Sequence, residues 1–357
     1  MDHALRRGRL AEWLQQAGIE ALLVNRLPNV RYLTGFTGSN GQVIVRADGR
    51  DLFLTDGRYE EQARHEVPDL ERRGYRESMV RAVRDIVPAL GLGRLGFEVD
   101  GLTYHAYTEL GADLPAELVG VNGAVERLRR VKDADELRIL DRAQEVTDAA
   151  FEALLPKLRE GVSERELAFE LEIELRTAGA DDLSFETIAA FGEDAAEPHH
   201  DPGGRPLRRG DVVKLDFGAL VDGYHCDMTR TVAFGHPPRE LHEIHDLVRR
   251  AQRAGIEAVR AGVDAAGVDA AARSVIEEAG MGERFAHGLG HGVGLEIHED
   301  PFLHRSSQEV LPAGAVVTIE PGVYVPGLGG VRIEDMVEVR EDGRRALPRS
   351  SKELIVT

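Results

Sequence analysis

The chain has 357 residues, 44 of them basic and 63 acidic, for a net charge of −19. That length accommodates two domains with substantial cores. The charge excludes a general binder of nucleic acid or anionic membrane, which needs a basic surface, and no apolar run approaches the roughly 20 residues of a membrane span.

Arg6, Arg7 and Arg9 lie near the start, but Leu10, Trp13 and Leu14 are spaced along one helix face and do not form the apolar core of a signal peptide. A first helix is expected over about 4–17, ending near Gly18. Apolar runs at Ala21–Val24, Gln42–Val45 and Asp51–Thr55 follow, punctuated by Ser39-Asn40-Gly41 and Asp48-Gly49. A polar helix around Arg58–Glu66, another ending near Leu92 and a strand over Arg94–Val99 complete an α/β domain with a mixed sheet, assigned to 1–127. It carries no strong catalytic motif. Asn29, Tyr32, Thr37 and the Asp56-Gly57-Arg58-Tyr59 turn read as ordinary loop residues, with contact to a ligand or a partner chain as the alternative.

The pattern changes around Leu128–Lys132, and 128–357 is assigned to a second domain. Asp133 with Glu136 reads as a capping box for a long helix toward Leu158, which Pro156 ends or kinks. Ser163 with Glu166 starts another, which stops near Gly179. Gly161-Val162-Ser163 leads to Ala178-Gly179, and 101 residues later Gly262-Val263-Asp264 leads to Ala279-Gly280. Each pair brackets an amphipathic helix followed by strands, which predicts two similar α+β halves related by an internal pseudo-twofold.

In the first half, Val212–Val232 reads as a hairpin turning at Asp222-Gly223. Tyr224 then pairs with Val221, Asp227 with Gly218, and Asp216 with Thr229. Asp216 and Asp227 share a face, about 7–8 Å apart at the backbone, with Gly218 leaving room above the sheet. On this hairpin alone, a cation between the two carboxylates and a pair of exposed aspartates are both open readings. Cys226 falls on the opposite face and reads as a small buried residue. As the only cysteine it excludes an intrachain disulfide and predicts a reducing, cytoplasmic setting.

In the second half, Ala315–Ile319 is a strand with Glu320 at its end, where Pro321 breaks the ladder. Val331–Val339 alternates, placing Arg332 and Glu334 on one face and Asp335 on the other. Between helix and strands lies a glycine-histidine run, Phe285–Glu299. Its glycines permit close backbone approach, and its histidines are nitrogen ligands or proton carriers. It fits neither the dinucleotide fingerprint nor H-E-x-x-H.

Asp216, Asp227, His291, Glu320 and Glu334 thus offer four carboxylates and one imidazole. Four negative charges in one apolar pocket need roughly two divalent cations. Oxygen-rich ligation with one histidine suits Mn²⁺ first, with Co²⁺, Fe²⁺ or Zn²⁺ also open. Two ions about 3.5–4 Å apart can acidify a bridging water and stabilise an oxyanion.

Five segments together resemble the motif set of the pita-bread (M24-type) metallopeptidases, which include methionine aminopeptidase, aminopeptidase P and prolidase. They are Lys214-Leu-Asp-Phe-Gly-Ala, Asp227-Met-Thr-Arg-Thr, His287–Glu299, Ile319–Tyr324 and Val331–Asp335. The resemblance covers about 130–357, and the earlier part is similar to the creatinase-type domain of the proline-specific branch. It implies a pita-bread catalytic domain behind a smaller α/β domain, and cleavage of the Xaa-Pro bond at the N-terminus of short peptides. It implies a dinuclear centre on the five residues, with Asp227 and Glu334 bridging and Glu320 also moving the proton of the water. It further implies that His199 contacts substrate, His298 bonds the scissile carbonyl, Arg332 holds carboxylates, and the protein is a homodimer. The run Phe191–His199 departs from the relatives' pattern. Phe191, Glu193, Asp194 and Glu197 are expected to put bulk and negative charge on a substrate wall. Aminopeptidase P-like and prolidase-like versions stay open. So do metal-free creatinase-like hydrolysis, a non-catalytic interaction protein on the same fold, and a peptidase without proline preference.

Overall fold

The computed structural model describes every residue except Asp113. The chain forms two compact units, Met1–Arg129 and Arg130–Thr357.

The first unit is built on a six-stranded mixed sheet. Its central strand, Ala21–Val24, is buried along its whole length. That strand pairs antiparallel with Gly41–Arg46 and parallel with Arg94–Glu98. Helix His3–Ala17 ends on Gly18 in the left-handed region, as read from the sequence. The loop reading of Asn29 and Tyr32 fails. Both lie in a helix, Leu27–Thr34, which Pro28 starts. Asn29 is fully buried and accepts a hydrogen bond from Arg129 at 2.7 Å. Arg6 stacks on the Tyr32 ring at 4.1 Å. Thr37 bonds Glu66 at 2.7 Å. These side chains hold the unit together rather than waiting for a ligand.

In the second unit, helix Ala134–Leu154 carries the Asp133–Glu136 capping box, and a 3₁₀ turn over Leu155–Lys157 takes over before Pro156. Helix Glu164–Ala178 carries the Ser163–Glu166 box. The repeated landmarks carry repeated structure. Gly161 N donates to Leu207 O and Gly262 N to Leu311 O, both at 2.9 Å. Phe191 pairs with Val213 in one half, and Gly292 with Val317 in the other. Strands Ile188–Phe191, Val212–Phe217 and Met228–Ala233 therefore correspond to Gly290–Gly292, Val316–Ile319 and Asp335–Arg340. A 20-residue helix, Arg239–Ala258, was not anticipated, although Leu241, Ile244, Leu247, Val248 and Ala251 bury one helical stripe.

The two halves meet along a polar seam. Glu334 N donates to Thr229 O at 3.1 Å, and Thr231 Oγ1 to Arg332 O at 2.9 Å. Buried Arg230 donates to Glu334 O at 2.6 Å and to the Asp335 carboxylate at 2.9 Å, while Gln252 and Lys352 complete Asp335. Asp335→Ala strands a buried guanidinium, so the unfolding free energy should fall by about 3–5 kcal/mol. Urea titration should show a lower midpoint at an unchanged slope.

His245 is buried in helix Arg239–Ala258, and that burial pushes its pKa down to about 4, outweighing the opposite pull of Asp246. The unfolded chain therefore binds this proton first as pH falls. Stability is complete above the unfolded value near 6.5 and is lost between there and about 4, by up to about 3 kcal/mol at 1.36 kcal/mol per pKa unit. Urea midpoints at pH 7, 5.5 and 4 should fall less steeply in His245→Gln than in the parent.

Candidate metal centre

The first half delivers two aspartates through its hairpin. Val221 pairs with Tyr224 and Asp216 with Thr229, in the register set by a turn in which Asp222 (φ 48°) and Gly223 (φ 76°) are both left-handed. Gly218 and Asp227 fall between the two paired stretches. Gly218 does not clear space above the sheet: a Cβ there would lie 1.8 Å from Cys226 O, so the glycine admits the neighbouring backbone. Cys226 is buried, Sγ 3.3 Å from Gln144 Oε1, and burial pushes its thiol pKa up.

The second half delivers His291, Glu320 and Glu334. His291 lies in Gly290–Gly292, an inner strand of a five-stranded sheet. A Cβ on Gly290 would sit 2.0 Å from Thr318 O. The close approach made possible here is thus strand to strand, not protein to ligand. Arg273 ties the start of the run by donating to Phe285 O at 2.9 Å and His287 O at 2.6 Å. Lys132 secures its end through Glu299 at 2.6 Å. The alternation expected over Val331–Val339 survives a break. Gly329–Arg332 and Asp335–Arg340 belong to different sheets, and Glu334 sits between them.

All five residues line one cavity of about 990 Å³. His291 Nε2 is 3.3 Å from Glu320 and 3.6 Å from Asp227. Single ligand atoms of Asp227, His291 and Glu334 lie within 4.8 Å of one another. Burial raises the pKa of Asp227 well above the carboxylate range, and the charges of Glu334, Asp216 and Glu320 push it the same way. Glu334 is raised for the same reasons. Burial would also raise Glu320, but its bond to His291 holds it down at about 2. Those carboxylates repel one another in a space that disfavours charge. Asp216 Oδ1 and Glu334 Oε1 are buried with no hydrogen-bond partner among the described residues. Orphaned buried carboxylate oxygens beside an imidazole are what a hard divalent cation takes, so the residues present fit such a group.

Neighbouring side chains orient the cluster. Thr229 Oγ1 donates to Glu334 at 2.7 Å. Thr318 Oγ1 donates to Glu320 at 3.1 Å and accepts from His291 N at 3.0 Å. Arg332 is buried and donates to Asp216, to Thr229 Oγ1 at 2.9 Å, to Tyr324 Oη at 3.0 Å and to Pro198 O at 3.1 Å. Tyr324 in turn meets His287 Nε2 at 2.9 Å. Sequence reasoning assigned no role to Thr229, Thr318, Tyr324 or Lys214. Position held a signal for the threonines, since each stands two strand residues from a carboxylate and so shares its face.

His199 and His298 both line the cavity and are exposed. The His298 ring packs edge-on against His291, centroids 4.3 Å apart. The part of the ring covered against His291 loses solvent, and this, then the charge of His291, lowers its pKa. The loop before His199 is tied down from below: buried Lys214 donates to Glu197 O, to Ala195 O at 3.2 Å and to Pro198 O at 3.3 Å. His200 is bonded on both nitrogens, to Glu164 at 2.9 Å and Glu197 at 2.8 Å. That closes off Glu164, Asp194 and His200, whose ligand atoms also lie within 4.8 Å, as an internal clamp. The acidic wall expected from Phe191–Glu197 is not there. Phe191 is buried in a strand, and Glu193, Asp194 and Glu197 lie outside the cavity lining. The side chains of Glu193 and Glu197 turn to Arg205 and His200.

Residues 138–341 match the model of metallopeptidase family M24, and residues 6–131 that of the creatinase/prolidase N-terminal domain. The chain is 42% identical to an uncharacterized peptidase, YqhT, of Bacillus subtilis, over 98% of this chain and 99% of that one. It superposes on an Xaa-Pro dipeptidase from Bacillus anthracis with a TM-score of 0.97 and 41% identity over the whole of both chains. An X-Pro aminopeptidase from Thermotoga maritima gives a TM-score of 0.90 and 33% identity, covering 95% of this chain and 98% of that one. The chain belongs to metallopeptidase family M24, with a creatinase/prolidase N-terminal domain ahead of its catalytic unit.

Proposed function

We propose that the protein is a divalent-metal-dependent peptidase that hydrolyses the bond between a first residue and a following proline in short peptides. The observation that carries this reading is the buried cluster of four carboxylates and His291 with its two orphaned oxygens. Full-length similarity to Xaa-Pro dipeptidase and X-Pro aminopeptidase structures supports the bond preference.

Asp216, Asp227, His291, Glu320 and Glu334 would hold the divalent ions. The bound cations supply Lewis acidity, which acidifies water and polarises a peptide carbonyl. Glu320 accepts the proton of the attacking water and passes it to the leaving nitrogen. His298 hydrogen-bonds the scissile carbonyl oxygen and the charge that develops on it. His199 contacts the peptide, on a loop that Lys214 and Arg332 hold by its carbonyls. Arg332 holds the Asp216 carboxylate aimed at the centre. Mn²⁺ is the first ion to test. A homodimer in the cytoplasm completes the reading, and the buried, unbridged Cys226 is in keeping with a reducing compartment.

The test is hydrolysis by metal-stripped protein reloaded with Mn²⁺, Co²⁺ or Zn²⁺, on an Xaa-Pro dipeptide, the matching Xaa-Pro-Xaa tripeptide and Xaa-Ala controls. Metal-dependent cleavage confined to the proline peptides is expected. Equal cleavage of the alanine controls would remove the proline preference, and no cleavage would remove the peptidase assignment.

A further inference from the structure

One wall of the cavity is not used by the chemistry above. Arg165, Ala168, Phe169 and Glu172 all line the cavity. They stand at i, i+3, i+4 and i+7 of helix Glu164–Ala178, so they form one stripe of that helix. A stripe facing a protein interior would be packed, yet Phe169 is 62% exposed. Strand Glu299–Leu303 contributes Phe302 to the same cavity, and it is 40% exposed. Two large aromatic side chains left open inside one concave site mark a place for an apolar ligand group. The cation inventory adds to this. Arg332 has every arm engaged within the protein. Arg165 is the other arginine on the cavity, it is exposed, and among the described residues no carboxylate pairs with it. The cavity of about 990 Å³ reaches the upper end of the range for small-ligand sites, about 300–1,000 Å³. Each further peptide residue adds about 3.5 Å of reach.

We infer that Phe169 and Phe302 form a subsite for an apolar residue directly after the proline, with Arg165 receiving the terminal carboxylate of a tripeptide. This rests on the Xaa-Pro reading and narrows it: the preferred substrate is Xaa-Pro followed by a large apolar residue, not the bare dipeptide. No residue of the subsite moves a proton. It acts on the leaving side by removing apolar area from water and by pairing one charge.

The experiment compares kcat/KM of the Mn²⁺-loaded enzyme on Ala-Pro, Ala-Pro-Gly, Ala-Pro-Phe and Ala-Pro-Phe-amide. Calorimetry of the leaving dipeptides Pro-Phe and Pro-Gly gives a readout apart from turnover. Ala-Pro-Phe should exceed Ala-Pro-Gly by about tenfold or more, as an added apolar group in a fitted pocket does. The amide should lose about two- to fivefold, the worth of an exposed ion pair. Phe169→Ala and Phe302→Ala should each shrink the phenylalanine advantage and the binding of Pro-Phe, leaving Ala-Pro-Gly turnover unchanged. Arg165→Ala should make acid and amide equal. Cleavage of Ala-Pro-Gly with no advantage for Ala-Pro-Phe, or an advantage that survives both phenylalanine replacements, overturns the subsite and leaves the Xaa-Pro reading standing. Failure to cleave any of the four overturns both.

Discussion

Asp227→Ala should abolish hydrolysis and empty the centre of metal while leaving the fold intact. Asp227 is buried, its carboxylate 3.6 Å from His291 and close to Glu334. Burial and the charges of Glu334, Asp216 and Glu320 oppose its ionised form. In metal-free protein it is therefore a source of repulsion, and its removal should leave the melting temperature equal or higher. With Mn²⁺ added the order should reverse. A ligand that binds only the folded state stabilises it by RT ln(1 + [L]/Kd), about 2.7 kcal/mol at one hundred times Kd. The parent should gain that increment and the variant little of it. Elemental analysis after dialysis, melting with and without Mn²⁺, and turnover report three separate quantities. A variant with full metal content and full activity would sink the assignment. Asp227→Asn, which keeps the shape, should behave like the alanine variant.

Arg332→Lys should lower kcat/KM by about 10–100-fold, the usual effect of losing a side chain that aims a metal ligand. One ammonium cannot replace a planar guanidinium that serves Asp216, Thr229, Tyr324 and Pro198 together. The acceptors it abandons are buried, so stability should also fall, by roughly 1–3 kcal/mol. Arg332→Met removes the charge as well and leaves Asp216 without its partner, at a cost of about 3–5 kcal/mol. Urea titration separates this loss from the catalytic one, since both variants can be assayed well below their midpoints. The pattern over substrates carries more than the size of the drop. Pro198 precedes His199, so KM for proline peptides should rise along with the fall in kcat. A lysine variant with parental kinetics would mean that Arg332 only fills space.

The elements that could be read in advance depend on neighbours a few residues away. The two capping boxes, the Gly18 and Gly179 helix ends and the Asp222-Gly223 turn are each decided within about four residues. The turn then sets the register, and strand alternation carries Asp216 onto one face. Arg332 and Glu334 were separable from Asp335 by the same parity, although the strand itself breaks between them. The 101-residue repeat was legible because four of its five landmark residues recur as the same type, and the structure repeats with it.

What failed was assigned from residue type without knowing what lay opposite. Asn29 and Tyr32 look like loop residues until the helix Leu27–Thr34 and their contacts with Arg129 and Arg6 are seen. The acidic residues Glu193 and Glu197 look like a substrate wall until they are seen outside the cavity lining, bonded to Arg205 and His200. The glycines at 290 and 292 look made for a ligand, but the atoms pressed against them belong to neighbouring backbone.

By itself, then, the sequence determined the helix caps, the hairpin register and the repeat, because local hydrogen bonding and side-chain parity act over short spans, and the resemblance of its motifs singled out the five residues that line one cavity. Only the tertiary structure decided how those residues meet. Arg332 reaches Asp216 across 116 positions, and Thr229 reaches Glu334 across 105. Such pairs are chosen when the two halves close along their seam, and no periodicity within either half encodes the partner. The same holds for the open stripe on helix Glu164–Ala178. Its spacing is visible in the chain, but that Phe169 faces a cavity and not a core is settled only by what the folded protein leaves uncovered.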